Sequence, residues 1–182
     1  MNIFAVNPDP EKAARELANR HISRMPLETA GMLVFAFPEG STPIPNLRSN
    51  RHFSHPASHW CRQSKENYEW LLMHGLAQAD EYKIRYKREH DSEKHINWCV
   101  NNYHTIDFPS SKFTPFARCF SSYKTLLDTT IADPILAYQE FYKLDKISFA
   151  RWPAAEKIPV WWISQDQNWV DKNFKNGQYI KR

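Results

Sequence analysis

Between Glu16 and Glu28 the chain gathers two arginines, a histidine and a carboxylate around one proline: Arg20, His21, Arg24, Pro26 and Glu28. A positioned carboxylate stabilises developing positive charge and relays protons, and guanidinium forks match phosphate geometry. The plain alternative is a solvated first-turn glutamate with ordinary helix-surface cations. Further on, Arg85, Tyr86, Lys87 and Arg88 close a helical stretch, with Lys83 one turn earlier. Such a cluster compensates a helix dipole, or forms a phosphate strip in which Tyr82 or Tyr86 stacks on a base. Tyr138, Tyr142 and Lys146 recur at spacing four, which puts the tyrosines mostly in the core and leaves Lys146 to reach a cleft. His55 and His59 stand at i and i+4, but no third ligand lies at a diagnostic spacing, so no metal is expected. Four glycines and no phosphate-cradling or dinucleotide motif argue against a nucleotide cofactor, and none is expected.

These groups must be positioned by helices. Asp9-Pro10 reads as an N-cap followed by proline in the first turn. Ala14, Leu17, Ala18, His21, Ile22 and Met25 then recur at helical spacing. Pro26 interrupts this run, yet the apolar stretch from Ala30 to Phe37 resumes at once, so one long kinked N-terminal helix is predicted, with Arg24 and Glu28 on either side of the kink. Residues 38–54 read as a surface loop carrying Arg48 and Arg51. His55-Pro56 opens a short helix through Trp60, and Ser64 caps a long one to about Lys87. The buried face of that long helix is predicted as Tyr68, Leu71, Leu72, Gly75, Leu76, Ala79 and Tyr82. Ser92 caps the next helix, with Ile96, Cys99, Val100 and Tyr103. Residues 104–130 read as loops with at most a helical turn. Asp133-Pro134 caps a helix that places Leu136, Tyr138, Phe141 and Tyr142 near the core. An extended tail packed through Trp161 and Trp162 follows. The fold class is all-α, a single compact domain over 1–182.

The segment from Glu16 to Glu28 resembles the first helix of the phage pyrimidine-dimer DNA glycosylases, the endonuclease V family. In that family a Leu-Ala-x-x-His element precedes a catalytic glutamate beside a proline. The matching residues are Leu17, Ala18, His21 and Glu28, with looser similarity in Trp60 to Leu76 and in Pro159-Val160-Trp161-Trp162. The resemblance implies a DNA glycosylase, with or without lyase activity, acting on damaged or modified pyrimidines. Its partner would be duplex DNA with an extruded nucleotide, bound by a monomer in the cytoplasm, the host's if the source is a phage. It implies Glu28 and His21 as catalytic residues, and Arg20, Arg24, Arg48, Arg51, His55, Arg85, Tyr86 and Lys146 as DNA contacts. Family members attack the sugar with an N-terminal α-amine, which at a pKa of about 8 holds far more free base near neutrality than lysine. Here Asn2 is too bulky for ready removal of Met1. Three alternatives therefore stand: the Met1 amine, a lysine such as Lys146, or loss of the lyase step.

Composition sets outer bounds. The chain has 182 residues, 42% hydrophobic and 24% charged, an ordinary globular balance for one domain. Its net charge of +4 permits an anionic partner without demanding one. Aromatics make up 14%, with seven tryptophans, serving the core first and base stacking second. Cys61, Cys99 and Cys119 form no CxxC pair, which points to a reducing compartment. No run approaches the roughly 20 apolar residues of a membrane span. Two other functions fit the same sequence: a phage transferase modifying altered pyrimidines on this fold, and a non-catalytic DNA- or protein-binding module.

Overall fold

The computed structural model describes residues 1–43, 50–120, 131–154, 157–163, 174–175 and 178–179. Its organising element is the helix opened by Ser64, whose hydroxyl accepts the Asn67 N–H. That helix, α6 (Lys65–Tyr86), follows α1 (Pro10–Arg15), α2 (Asn19–Ile22), α3 (Met25–Val34), α4 (Asn50–Phe53) and α5 (Pro56–Gln63). After it come α7 (Glu93–Asn102), a 3₁₀ turn (Tyr103–Thr105), α8 (Pro134–Lys146) and α9 (Val160–Ile163). The sole described sheet is a hairpin of two-residue strands, β1 (Phe174–Lys175) and β2 (Gln178–Tyr179), antiparallel. The architecture is all-α, and no described helix is long and apolar enough to cross a membrane.

With 22 residues, α6 is about 33 Å long and touches α1, α2, α3, α5 and α7. Five of its seven predicted core residues are buried together with Gly75, while Leu76 is only half-buried. Trp70, His74, Gln78 and Glu81 are also buried. A helix surrounded on several sides shows no single apolar stripe, and the sequence pattern therefore understates its burial. Lys87, in the left-handed region at φ 57°, ends it. The predicted caps at Asp9 and Asp133 accept two backbone N–H groups each.

The N-terminal run is helical in three pieces, not one long kinked helix. Ala18 is extended, and its N–H donates to the Tyr142 hydroxyl. The backbone acceptors around the break have tertiary partners: Arg85 donates to the carbonyls of Arg15 and Leu17, and the Trp152 indole to that of Glu16. Partners 68 to 136 residues away make the break possible, and helical periodicity cannot reveal them. The second break falls at Ser23–Arg24, so Pro26 sits in the first turn of α3, where its missing N–H costs nothing. The predicted stripe nevertheless holds: Ala14, Leu17, Ala18, His21, Ile22 and Met25 are all buried.

Other expectations change: Asn50–Phe53, within the predicted loop, is helical, and Ser92 precedes α7 without a side-chain cap hydrogen bond. Leu136 is 53% exposed, although Tyr138, Phe141 and Tyr142 on the same helix are buried. It lies in the first turn of α8, ahead of the helix's buried residues. In the tail, Val160–Ile163 coils into a helical turn where an extended run was predicted, because Trp162 and Ile163 donate back to the Pro159 carbonyl. The aromatic packing itself is present, with Trp161 against Tyr142 and Trp162 against Trp152.

Gly75 allows α6 to approach α3. A Cβ there would lie 2.7 Å from the Thr29 methyl and 3.3 Å from Ile96 Cδ1. The helix-propensity gain of Gly75→Ala, about 1 kcal/mol, should be outweighed by an overpacking cost of about 1–3 kcal/mol. Urea unfolding should give a lower midpoint for Gly75→Ala, recovered in part by Thr29→Ser, which removes the opposing methyl.

Candidate active site at the first residues of the chain

Residues Ile3, Phe4, Ala5 and Val6 are buried, so the start of the chain is drawn into the core by the hydrophobic effect and not left loose. Gln139 on α8 donates to the Val6 carbonyl at 2.8 Å, closing the segment from the other side. Within it the backbone turns sharply. Phe4 has φ 40°, a conformation costing an L-residue roughly 1–2 kcal/mol, and the Val6 N–H donates to the Phe4 carbonyl at 2.7 Å.

Asn2 holds this turn together. Its Oδ1 accepts the Phe4 N–H at 2.8 Å, its Nδ2 donates to the Cys119 carbonyl at 2.7 Å, and its backbone N–H donates to Glu28 Oε2 at 2.9 Å. The α-amine of Met1 lies 3.8 Å from the same Glu28 oxygen. The Met1 side chain is buried, whereas that of Glu28 is about one-third exposed. Glu28 stands in the first turn of α3, where the helix macrodipole favours a carboxylate. The geometry is thus an amine and a carboxylate side by side at an accessible edge of the core. Such a pair can carry out imine chemistry: a nucleophilic nitrogen beside an anion that stabilises positive charge on an attacked carbon.

His55 feels the charge of the Met1 amine. It is the N-cap of α5, its Nδ1 accepting the Ala57 N–H at 3.2 Å, which leaves Nε2 as the protonated nitrogen of the neutral ring. Burial, then the Met1 amine and His52, lower its pKa to about 4. His55 is therefore an uncharged imidazole at neutral pH.

Comparison with family models, with curated proteins and with solved structures finds no match to this chain.

The other predicted site residues fall into distinct groups. His21 is buried, with its Nδ1 in a short hydrogen bond to the Tyr142 hydroxyl and its ring stacked on Phe4 at 4.4 Å. Burial, then Lys146 and Arg20, lower its pKa to about 3. Its described contacts lead to the Met1–Glu28 pair through Phe4 and Asn2. Lys146 is mostly enclosed, ion-paired with Asp145, with the rings of Phe4, Phe141 and Phe149 5.2 to 5.9 Å from its ammonium. Arg20 and Arg24 are exposed, Arg20 lying over the Phe149 ring at 4.7 Å. Arg48 lies outside the described residues, as does the side chain of Arg51 on α4.

Arg85 binds inward, whereas Tyr86 stays exposed and is tied to α2 through its hydroxyl. Arg85 donates to Glu81 at 2.8 Å, to Asn19 Oδ1, and to the carbonyls of Leu17 and Arg15. Its side chain is only 2% exposed. The Tyr86 hydroxyl donates to the Asn19 carbonyl, and Tyr82 is buried against Tyr86 and His90. In this conformation the guanidinium presents no open fork to a phosphate, and Tyr82 presents no face to a base. Among the described residues no group of three or more His, Cys, Asp or Glu could hold a metal. Asn2 is the site residue that sequence reasoning missed. It entered that reasoning only as an obstacle to Met1 removal, although Asn bonding to a backbone N–H two residues on is a recognisable turn former.

Two outcomes are expected. Arg85→Ala leaves Glu81 buried without its cation and should lower unfolding free energy by about 3–5 kcal/mol, with no change in the salt slope of DNA binding. The second concerns acid. His21 at about 3 and His74, lowered to about 4 by burial, stay neutral in the folded chain while the unfolded chain protonates near 6.5. Their contribution is complete above pH 6.5 and lost as pH falls toward 4, each by up to about 1.4 kcal/mol per pH unit. Urea midpoints measured across this range should fall less steeply for His74→Gln.

Proposed function

We propose that this chain is a DNA N-glycosylase with an imine-forming lyase step, acting on damaged or modified pyrimidines in duplex DNA. The observation that carries the reading is the Met1 amine 3.8 Å from Glu28 Oε2, with the Asn2 N–H fixing that oxygen. This is the amine–carboxylate pair implied by the Leu17, Ala18, His21 and Glu28 resemblance, and it favours Met1 over Lys146 as the nucleophile.

The extruded nucleotide presents C1′ to the amine. Nitrogen forms a bond to C1′ as the C1′–base bond breaks, and the base leaves with the bonding pair and takes up a proton. Loss of a proton from nitrogen and ring opening, with O4′ gaining a proton, give an iminium. Glu28 stabilises the positive charge on the sugar throughout. Removal of a C2′ proton then expels the 3′-phosphate. Extrusion costs a few kcal/mol, least at damaged or mismatched positions, which supplies part of the selectivity. Arg20 and Arg24, exposed on the same N-terminal elements, are the proposed contacts to the flanking phosphates, and the chain acts as a monomer in the cytoplasm.

Borohydride trapping on an ultraviolet-irradiated duplex and on a duplex with one abasic site tests this directly. An adduct on the Met1 peptide is expected, and a Gly-Ser extension ahead of Met1 should abolish it. Glu28→Gln retains an oxygen able to accept the Asn2 N–H, so it removes charge while leaving the amine in place. Its turnover should fall about 10²–10³-fold, with DNA affinity within about threefold. No adduct and no strand cleavage with the unaltered chain would overturn the proposal.

A further inference from the structure

We propose that Asn2 is a positioning residue for the reaction, holding the Met1 amine at Glu28; this rests on the reading of Met1 as nucleophile. The Asn2 side chain and the N–H of its backbone make three hydrogen bonds, each to a different part of the fold: the Phe4 N–H, the Cys119 carbonyl and Glu28 Oε2. The residue itself is 8% exposed. With both ends of its amide bound, Asn2 cannot rotate without breaking one of them, and Met1 is attached directly to its backbone nitrogen. The bond to Phe4 also sustains the left-handed turn at that residue, a conformation that persists only where its surroundings enforce it. Behind Phe4, the stacked ring of His21 and the Tyr142 hydroxyl complete a column of support from α8. An amine on a flexible terminus would sample many positions, whereas an attacking atom must be held near 3–3.5 Å from its target, and an error of about 1 Å costs on the order of 10²-fold in rate.

Three residues divide the work. Met1 supplies the nitrogen and Glu28 the negative charge. Asn2 supplies the placement and touches neither the base nor the sugar.

Two variants that retain a bulky second residue test this, with intact mass confirming that Met1 is present. Asn2→Leu removes both side-chain hydrogen bonds. Asn2→Asp keeps an acceptor for the Phe4 N–H and loses the donor to Cys119. Single-turnover borohydride trapping on an abasic duplex should slow about 100-fold for Asn2→Leu and less for Asn2→Asp, with DNA affinity within about threefold. A pulse of acetic anhydride, read as acetylation of the Met1 peptide against pH, reports the surroundings of the amine without DNA. The pH midpoint should differ between the unaltered chain and both variants. If Asn2→Leu does not fold, Asn2→Asp decides the matter by the same two readings. Wild-type trapping rates in the folded variants, or acetylation profiles identical to wild type, would overturn the role of Asn2 while leaving Met1 as the nucleophile. An unaltered chain that forms no adduct would instead remove the reaction, and the acetylation profile would still show whether Asn2 places the amine.

Discussion

The guanidinium of Arg85 donates to the Arg15 and Leu17 carbonyls, the Asn19 side chain and Glu81, all within 3.2 Å. Three of these acceptors lie where α1 ends and α2 begins, and the fourth is on its own helix, α6. A helix break exposes polar groups that must find partners, and a buried break without them is costly. Arg85 supplies those partners from the central helix, so the same interaction that divides the N-terminal run also docks it on α6. The division turns α2 and α3 relative to α1. His21 then lies under Phe4, and Glu28 lies beside the start of the chain.

The site follows from a conflict between apolar and polar demands. Residues 3–6 are drawn inward by burial, but the groups at the start of a chain include an amine that must keep some access to water or a counter-charge. Glu28 and Asn2 resolve the conflict. One provides a partly exposed carboxylate and the other satisfies the backbone on the buried side. On the proposed reading this edge between core and solvent is where DNA meets the amine, and the neutral His55 adds no competing positive charge.

Much of the fold was legible in local chemistry. Asp9, Ser64 and Asp133 cap helices as their types predict, and the stripe from Ala14 to Met25 is buried throughout. What escaped prediction depends on distant partners. The break at Ala18 needs Tyr142 and Arg85, and the full burial of α6 needs neighbours on several sides. Glu28 entered the reading through the resemblance carried by Leu17, Ala18 and His21, and the structure sets its carboxylate 3.8 Å from the Met1 amine. Asn2 was not foreseen as a site residue, since one residue in three hydrogen bonds leaves no periodic trace. The Arg85 cluster shows the opposite error: basic residues at a helix end read as a surface strip until the structure turns one of them inward.

The contacts that place the site join positions far apart in the chain. Asn2 meets Cys119 across 117 positions, Ala18 meets Tyr142 across 124, and Val6 meets Gln139 across 133. Contacts of such separation close late, after the intervening chain has been made and the loop entropy overcome. Residues 1–6 dock on α8 and on the segment around Cys119, both of which are synthesised long after them. The contacts that hold the first residues beside Glu28 therefore depend on segments made much later in the chain. On the proposed reading, completion of the fold is thus what brings the amine to its carboxylate.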